Sequence, residues 1–196
     1  MWEALATRNA TTYVEDKGDS LYRRSLYTVW KRSSPPPAAI NFDAAERLFC
    51  TVTRQRTSTP LQALVLLNDP QYVEAARAIA ERTMAEGGTT ARDRITYAFR
   101  LVTSRHPRPE ELALLEKLFE EEQATFAKDA KGAAGLLSVG AHRRAGASGA
   151  PDAPDAKDAK AKDRQTKDAL DASPEGAALT VVASTLLNFD EAVIKR

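Results

Sequence analysis

Arg54 and Arg56 stand two residues apart in Cys50-Thr51-Val52-Thr53-Arg54-Gln55-Arg56-Thr57. In an extended segment that spacing puts both guanidiniums on one face. Two planar cations so placed could grip a carboxylate or a phosphate, although the commoner use of such a pair is a structural ion pair. A second basic group, Arg23, Arg24, Lys31 and Arg32, is interleaved with Tyr22, Tyr27 and Trp30. Cations beside aromatic rings could form a surface that stacks on bases or sugars. The simpler expectation for residues 21–32 is an amphipathic helix, with Leu21, Tyr22, Ser25, Leu26, Val29 and Trp30 facing the core and the arginines as a solvated rim. Asp69, directly before Pro70, completes a candidate ligand-binding set of Arg23, Arg24, Arg54, Arg56 and Asp69. His106 lies in the Arg105-His106-Pro107-Arg108-Pro109 turn and His142 in a polar loop, and neither has metal-ligand spacing or an evident catalytic partner. Cys50 is the only cysteine, which excludes an intramolecular disulfide, a CxxCH haem attachment and a cysteine-based zinc site. No catalytic residue, metal site or cofactor is therefore expected in this chain.

These residues are positioned by a series of helices with legible ends. Thr59-Pro60 with Gln62 has the form of an N-cap, a proline at the first helical position and a capping-box partner. The helix it opens carries Leu61, Leu64, Val65, Leu66 and Leu67 with almost no polar face, and so reads as the centre of the core. Asp43 with Glu46 three residues on predicts another capped start, for a short helix ending near Cys50. Before it, Ser33-Ser34-Pro35-Pro36-Pro37 reads as a stiff extended connector. Asp69-Pro70 opens a helix that Gly87-Gly88 ends. Thr90 with Asp93 opens the next, whose Ile95, Ala98, Phe99 and Val102 form an apolar stripe reaching Thr103. Pro109 to about Lys128 is the clearest amphipathic helix, with Glu110 and Glu111 in its first turn and Leu112, Leu115, Leu118, Phe119, Gln123 and Phe126 facing inward. From about Gly140 the composition shifts to Ala, Asp, Lys, Gly and Pro, which cannot pack. Ser173-Pro174-Glu175 restarts order, and the terminal helix carries Leu179, Val182 and Leu186 beside Val181, Leu187 and Val193.

The expected architecture is all-α: a compact irregular domain of about five to seven helices with a disordered low-complexity linker before the last helix. Residues 1–140 form the helical domain, 141–172 the flexible linker, and 173–196 a C-terminal helix that packs back on the domain. Apolar residues make up 43% of the 196 and Lys+Arg 28 balances Asp+Glu 27, so no overall charge bias points to nucleic acid or an anionic membrane. No run reaches the ~20 apolar residues of a membrane span, and Met1-Trp2-Glu3-Ala4-Leu5 is not the start of a signal peptide. The chain is expected to be soluble. Trp2, Leu5 and Tyr13 sit in a polar opening that reads like the middle of a domain.

Tyr22–Arg32, Pro35-Pro36, Phe42-Asp43-Ala44, Cys50-Thr51-Val52, Arg54–Thr57, Thr59–Asp69 and the terminal Leu186-Leu187-Asn188 resemble the C-terminal domain of a planctomycete family of large exported proteins of unknown function. In that family a cytochrome-c-like haem domain is often followed by two uncharacterised domains. The resemblance implies a non-catalytic module that scaffolds or packs on upstream domains of a larger parent, or on a separately encoded equivalent. It also implies haem in a separate domain and a periplasmic or cell-surface location for the full-length protein. The alternative is an anion- or polysaccharide-binding surface on Arg23, Arg24, Arg54 and Arg56, contributed to an enzyme completed by other domains. Polysaccharide is a candidate partner, and nucleic acid is not expected. The sequence departs from the family in its long low-complexity stretch, in Leu179 where Trp is usual, and in Arg108 where a capping Thr is usual. The last departure should weaken one helix cap by ~1 kcal/mol.

Partial burial would draw Arg54 and Arg56 toward a carboxylate such as Asp43, Asp69 or Glu74. Arg54→Ala or Arg56→Ala should then lower stability by roughly 1–4 kcal/mol in urea denaturation, because the orphaned carboxylate stays partly desolvated. An unchanged melting temperature in both variants would instead assign the pair to an external anion.

Overall fold

The computed structural model describes residues 22–28, 30, 35–45, 50, 52–53, 57–140 and 173–193. Among these it is all-helical, with eight α-helices, six of them of seven or more residues, and no strand. The helices are α1 (Pro37–Asn41), α2 (Pro60–Asn68), α3 (Pro70–Glu86), α4 (Ala91–Thr103), α5 (Pro109–Lys128), α6 (Ala130–Leu137), α7 (Pro174–Leu187) and α8 (Asp190–Val193). The chain divides into two compact units, Met1–Gln62 and Ala63–Arg196. The expected linker at 141–172, like Trp2, Leu5, Tyr13 and His142, lies outside the described residues.

The second unit is built around α7. Eight of its 14 residues are buried: Gly176, Ala177, Ala178, Leu179, Thr180, Val182, Ala183 and Leu186. The glycine and alanines let neighbouring backbones approach closely, and α7 packs against α3, α4, α5 and α6. One cluster joins Ala178, Leu179, Val182 and Leu186 to Ala80 of α3, to Ile95, Ala98 and Phe99 of α4, and to Leu112, Leu115 and Phe119 of α5. A smaller one joins Ala177 to Ala133 and Leu137 of α6. The only side-chain hydroxyl α7 buries fully, Thr180 Oγ1, donates to Gly176 O at 2.8 Å, so no polar group is left unsatisfied there. Ser173 Oγ accepts from Gly176 N at 2.9 Å and Pro174 occupies the first helical position, as the sequence predicts. Glu175 in the first turn pairs with Arg94 of α4 and also meets the positive end of the helix dipole.

The other helices begin where their caps require. Asp69 Oδ1 accepts from Gln71 N at 2.9 Å ahead of Pro70, and Thr90 Oγ1 accepts from Asp93 N at 3.1 Å. Arg108 precedes α5 and has no acceptor on its side chain. The cap there is one-sided: Glu111 Oε2 accepts the Arg108 backbone N–H at 2.7 Å. The sequence gives no expectation of α6, which Asp129 caps by accepting from Gly132 N at 2.9 Å.

Four expectations are corrected. The first is α2 as the centre of the core. The helix and its capping box are present, with Gln62 N donating to Thr59 Oγ1 (3.3 Å) and Thr59 N to Gln62 Oε1 (3.2 Å). Yet Leu61, Leu64 and Leu67 are 59%, 57% and 47% exposed, whereas Gln62 and Leu66 are buried. At 100° per residue the leucine stripe and the Gln62/Leu66 stripe lie on opposite faces. Composition alone shows that such a helix prefers enclosure, not that its own chain supplies it. The second is the helix over residues 21–32. The described part is a 3-10 turn, Ser25–Tyr27, flanked by extended backbone at Arg24 (ψ 145°) and Thr28 (ψ 133°), with Tyr22, Leu26 and Tyr27 exposed rather than in a core. The Tyr, Thr and Val in this stretch favour extended backbone, and here that tendency prevails over the apolar spacing. The third is Asp43 as a helix cap. Its φ is +56°, residues 44–45 are not helical, and its carboxylate faces Thr57; residues 46–49 lie outside the described residues. Pro37, read as part of an extended connector, instead starts α1.

This arrangement separates core from surface at single residues. Phe99→Ala should cost roughly 3–5 kcal/mol in urea denaturation, and Leu64→Ala should stay within about 0.5 kcal/mol. Equal losses at the two positions would restore α2 to the core.

Candidate functional site

In the first unit a polar node does the work that apolar burial does in the second. Gln62 is its only buried described residue, and no described hydrophobic residue there is buried. Asp43 accepts from Thr57 N at 2.8 Å and from Thr57 Oγ1 at 2.9 Å, closing the stretch between them. Gln62 Nε2 donates to Asn41 O at 2.7 Å and to Thr57 Oγ1 at 3.2 Å, while Gln62 Oε1 serves the α2 cap. One amide thus joins the end of α1, the start of α2 and the Asp43–Thr57 clamp. Breaking it would leave buried donors and acceptors without partners.

The turn at Ser25–Tyr27 in the same unit presents charge and a ring to solvent. Tyr27 N donates to Arg24 O at 2.9 Å, closing the turn. Arg24 is the extended N-cap of this turn and Tyr27 its last residue. Leu26 and Tyr27 are 70% and 68% exposed, and Arg23 and Arg24 are exposed as well. Arg77, Arg82, Arg92, Arg94 and Arg105 each pair with a glutamate. Arg23 and Arg24 form no ion pair among the described residues.

The five site residues suggested by the sequence therefore have different standings. Arg23 and Arg24 lie together on an exposed turn. Arg54 and Arg56 lie outside the described residues. Asp69 belongs to the second unit, where its carboxylate caps α3 and, after burial, contributes to holding the Tyr72 hydroxyl above its ordinary pKa. Cys50 and His106 are exposed. Among the described residues no three of His, Cys, Asp and Glu converge as a metal site, and no helix is long and apolar enough to cross a membrane.

The strongest electrostatic feature was not legible in the sequence. Arg105, between α4 and α5, makes a bidentate pair with Glu111 (2.8 and 2.7 Å) and reaches Glu191 of α8 through Nε (2.8 Å) and Nη2 (3.2 Å). Its guanidinium lies 4.7 Å over the Phe99 ring, which Phe189 meets edge-on at 6.2 Å. Arg105 and Glu191 are 86 positions apart, beyond the reach of any local spacing rule. The Arg105 hydrogen bonds, helped by the Arg108 N–H, hold the Glu111 carboxyl down at about 2, and Arg105 likewise lowers Glu191. This lock ties the α4–α5 junction to the C-terminal helix.

The matched protein family is PSD1: Protein of unknown function (DUF1553), over residues 3–119. The match takes in the exposed turn, the polar node, α1–α4 and the first part of α5, and leaves α6, α7 and α8 outside. No curated protein and no solved structure matches the chain.

The lock makes stability depend on acid in a stated direction. Glu111 has its pKa depressed on folding, so its stabilisation is complete above the unfolded carboxylate value and disappears as pH falls from ~4.5 through about 2. The urea midpoint of the wild type should fall across that window, and that of Glu111→Gln should fall less steeply and start lower at pH 7. Parallel profiles would show that the pair contributes nothing. Because the pair is solvent-accessible, 1 M NaCl should shrink the difference.

Proposed function

The chain belongs to the DUF1553 family of unknown function, and on that footing we propose that it is a non-catalytic helical module that docks on upstream domains of a larger exported parent protein, or on their separately encoded equivalent. The observation that carries this reading is the stripe Leu61, Leu64 and Leu67 on α2. A charge-free nine-residue helix keeps three leucines about half exposed on one face. Single exposed leucines are ordinary, but a contiguous apolar stripe on a rigid element is the usual mark of a protein interface. Desolvating it against a partner would contribute roughly 1–2 kcal/mol per leucine. The resemblance to planctomycete proteins with a cytochrome-c-like domain supplies the partner. In this reading haem belongs to that separate domain, the assembly is periplasmic or cell-surface, and this chain contributes packing rather than chemistry.

A second reading is favoured by the exposed Arg23 and Arg24, which form no ion pair among the described residues: an anion- or polysaccharide-binding surface, extended by Arg54 and Arg56, that serves an enzyme assembled with other domains.

The docking reading is tested by expressing the polypeptide encoded immediately upstream of the Met1 codon and titrating it with this chain by calorimetry. The pair should bind, and Leu64→Gln/Leu67→Gln should weaken the complex at least ~tenfold with the helical circular dichroism unchanged. No binding, or equal affinity for wild type and variant, would refute docking through α2.

A further inference from the structure

Residues 173–193 carry with them what seats them in the second unit. α7 opens on its own Ser173 cap and on Pro174, so its start needs nothing from the rest of the chain. Its large buried residues Leu179, Val182 and Leu186 fall at i, i+3 and i+7, the spacing by which a helix lies in an apolar groove. A carboxylate with a fixed partner stands at either end of this row: Glu175 meets Arg94 of α4, and Glu191 of α8 meets Arg105 just beyond α4. Two charged anchors with apolar anchors between them set both direction and register. The covalent connection adds little to this fit. Gly140 lies so close to Glu74, near the start of α3, that a Cβ there would overlap the Glu74 side chain. Glu175 lies by the other end of α3, because its partner Arg94 also donates from Nε to Gly88 O at 3.1 Å. The rise along α3 between those points makes the span roughly 20–30 Å. Residues 141–172 reach ~100 Å at full extension, several times that span. A tether of that reach does not select the groove to which it delivers α7; the groove's own contacts do.

We propose that α3, α4, α5 and α6 form a helix-docking groove whose ligand is the segment 173–193, and that the same segment of a second copy of this chain can take its place. The inference is independent of the α2 stripe. The tether holds a chain's own helix at an effective concentration on the order of 1 mM, so in dilute solution that helix occupies its own groove. Where it is damaged, or cannot reach, the helix of another copy completes the groove, and reciprocal exchange gives a closed two-fold dimer. An empty groove would uncover Ile95, Phe99 and Leu115, an apolar patch that favours capture of a helix. The occupant is specified by Ala177, Ala178 and Ala183, whose small side chains permit close approach, and by the spacing of Glu175 and Glu191 on either side of the apolar row. A second copy supplies all of these at the required positions.

The test uses the full chain carrying Leu179→Asp and Val182→Asp, which cannot seat its own α7, titrated with a synthetic peptide of residues 173–196. The wild-type peptide at ~0.1 mM should restore the helical circular dichroism and raise the melting temperature by at least ~5 °C, and a peptide carrying the same two aspartates should not. Adding Arg94→Glu to the chain should weaken the response to the wild-type peptide, and Glu175→Arg in the peptide should recover it, which a merely nonspecific apolar contact would not do. Exchange between copies is read separately by sedimentation equilibrium. Deleting residues 143–170 from the otherwise wild-type chain leaves a tether of ~13 Å, too short for its own groove, and this chain should sediment as a helical dimer. No rescue by the peptide, or equal rescue by wild-type and aspartate peptides, overturns the docking groove. A shortened chain that is monomeric and helical, or that is unfolded, overturns the exchange between copies.

Discussion

The second unit depends on the burial of one helix. α7 has so little polar surface that it is stable only when surrounded, and four helices, α3, α4, α5 and α6, supply the surroundings. Its small residues set how closely those helices approach, and Leu179, Val182 and Leu186 fill the space between them. Its start is fixed three times over, by the Ser173 cap, by Pro174 and by the Arg94–Glu175 pair, the last of which also holds its register against α4. Each device alone is worth about 1 kcal/mol. The burial they direct is several times larger, because each large side chain taken out of water contributes ~1.5–3 kcal/mol.

The first unit is held differently. Its described residues bury no hydrophobic side chain and are organised by directional bonds that converge on Gln62. Hydrogen bonds contribute only ~1 kcal/mol net each, but a buried amide that loses its partners incurs a larger penalty, so the node specifies geometry more than it adds stability. Asp43 holds a left-handed backbone within this node, a conformation that aspartate tolerates better than most residues because its side chain bonds locally. On the turn of this unit Leu26, Tyr27, Arg23 and Arg24 are exposed.

How much of this could be read from the sequence follows from the range of each interaction. Caps act within three residues, so Thr59, Asp69, Thr90, Pro109 and Ser173 mark helix starts that the structure contains. The stripes of α4, α5 and α7 act within one helix: Ile95, Ala98, Phe99, Leu112, Leu115, Phe119, Leu179, Val182 and Leu186 are buried as expected, whereas Val102, Leu118, Gln123, Phe126, Val181 and Leu187 are half-buried and Val193 falls in α8. What failed were inferences that needed to know what lies opposite. The α2 leucines are as apolar as those of α7, and composition carries no sign of which helix finds neighbours. The turn at Ser25–Tyr27 has helical spacing but residues that prefer extended backbone, and the spacing was misleading. Asp43 and Glu46 match a capping box, yet the carboxylate bonds Thr57, 14 positions away. The Arg105–Glu191 contact spans 86 positions. Of the candidate site residues, Arg23 and Arg24 are exposed, and Asp69 is the cap of α3 that Asp69-Pro70 already suggests in the sequence.

The central claim, that the second unit is organised around α7 and not around the more conspicuous α2, is tested most directly by native-state hydrogen exchange of the full chain resolved to short peptides. Amides that can exchange only when the core opens report the global unfolding free energy, whereas those of a helix with an uncovered face exchange through local opening. The amides of residues 177–186 should be among the slowest in the chain, and those of 62–68 should exchange at least ~hundredfold faster. Protection of α2 equal to that of α7 would contradict the account and return the leucine helix to the centre of the fold.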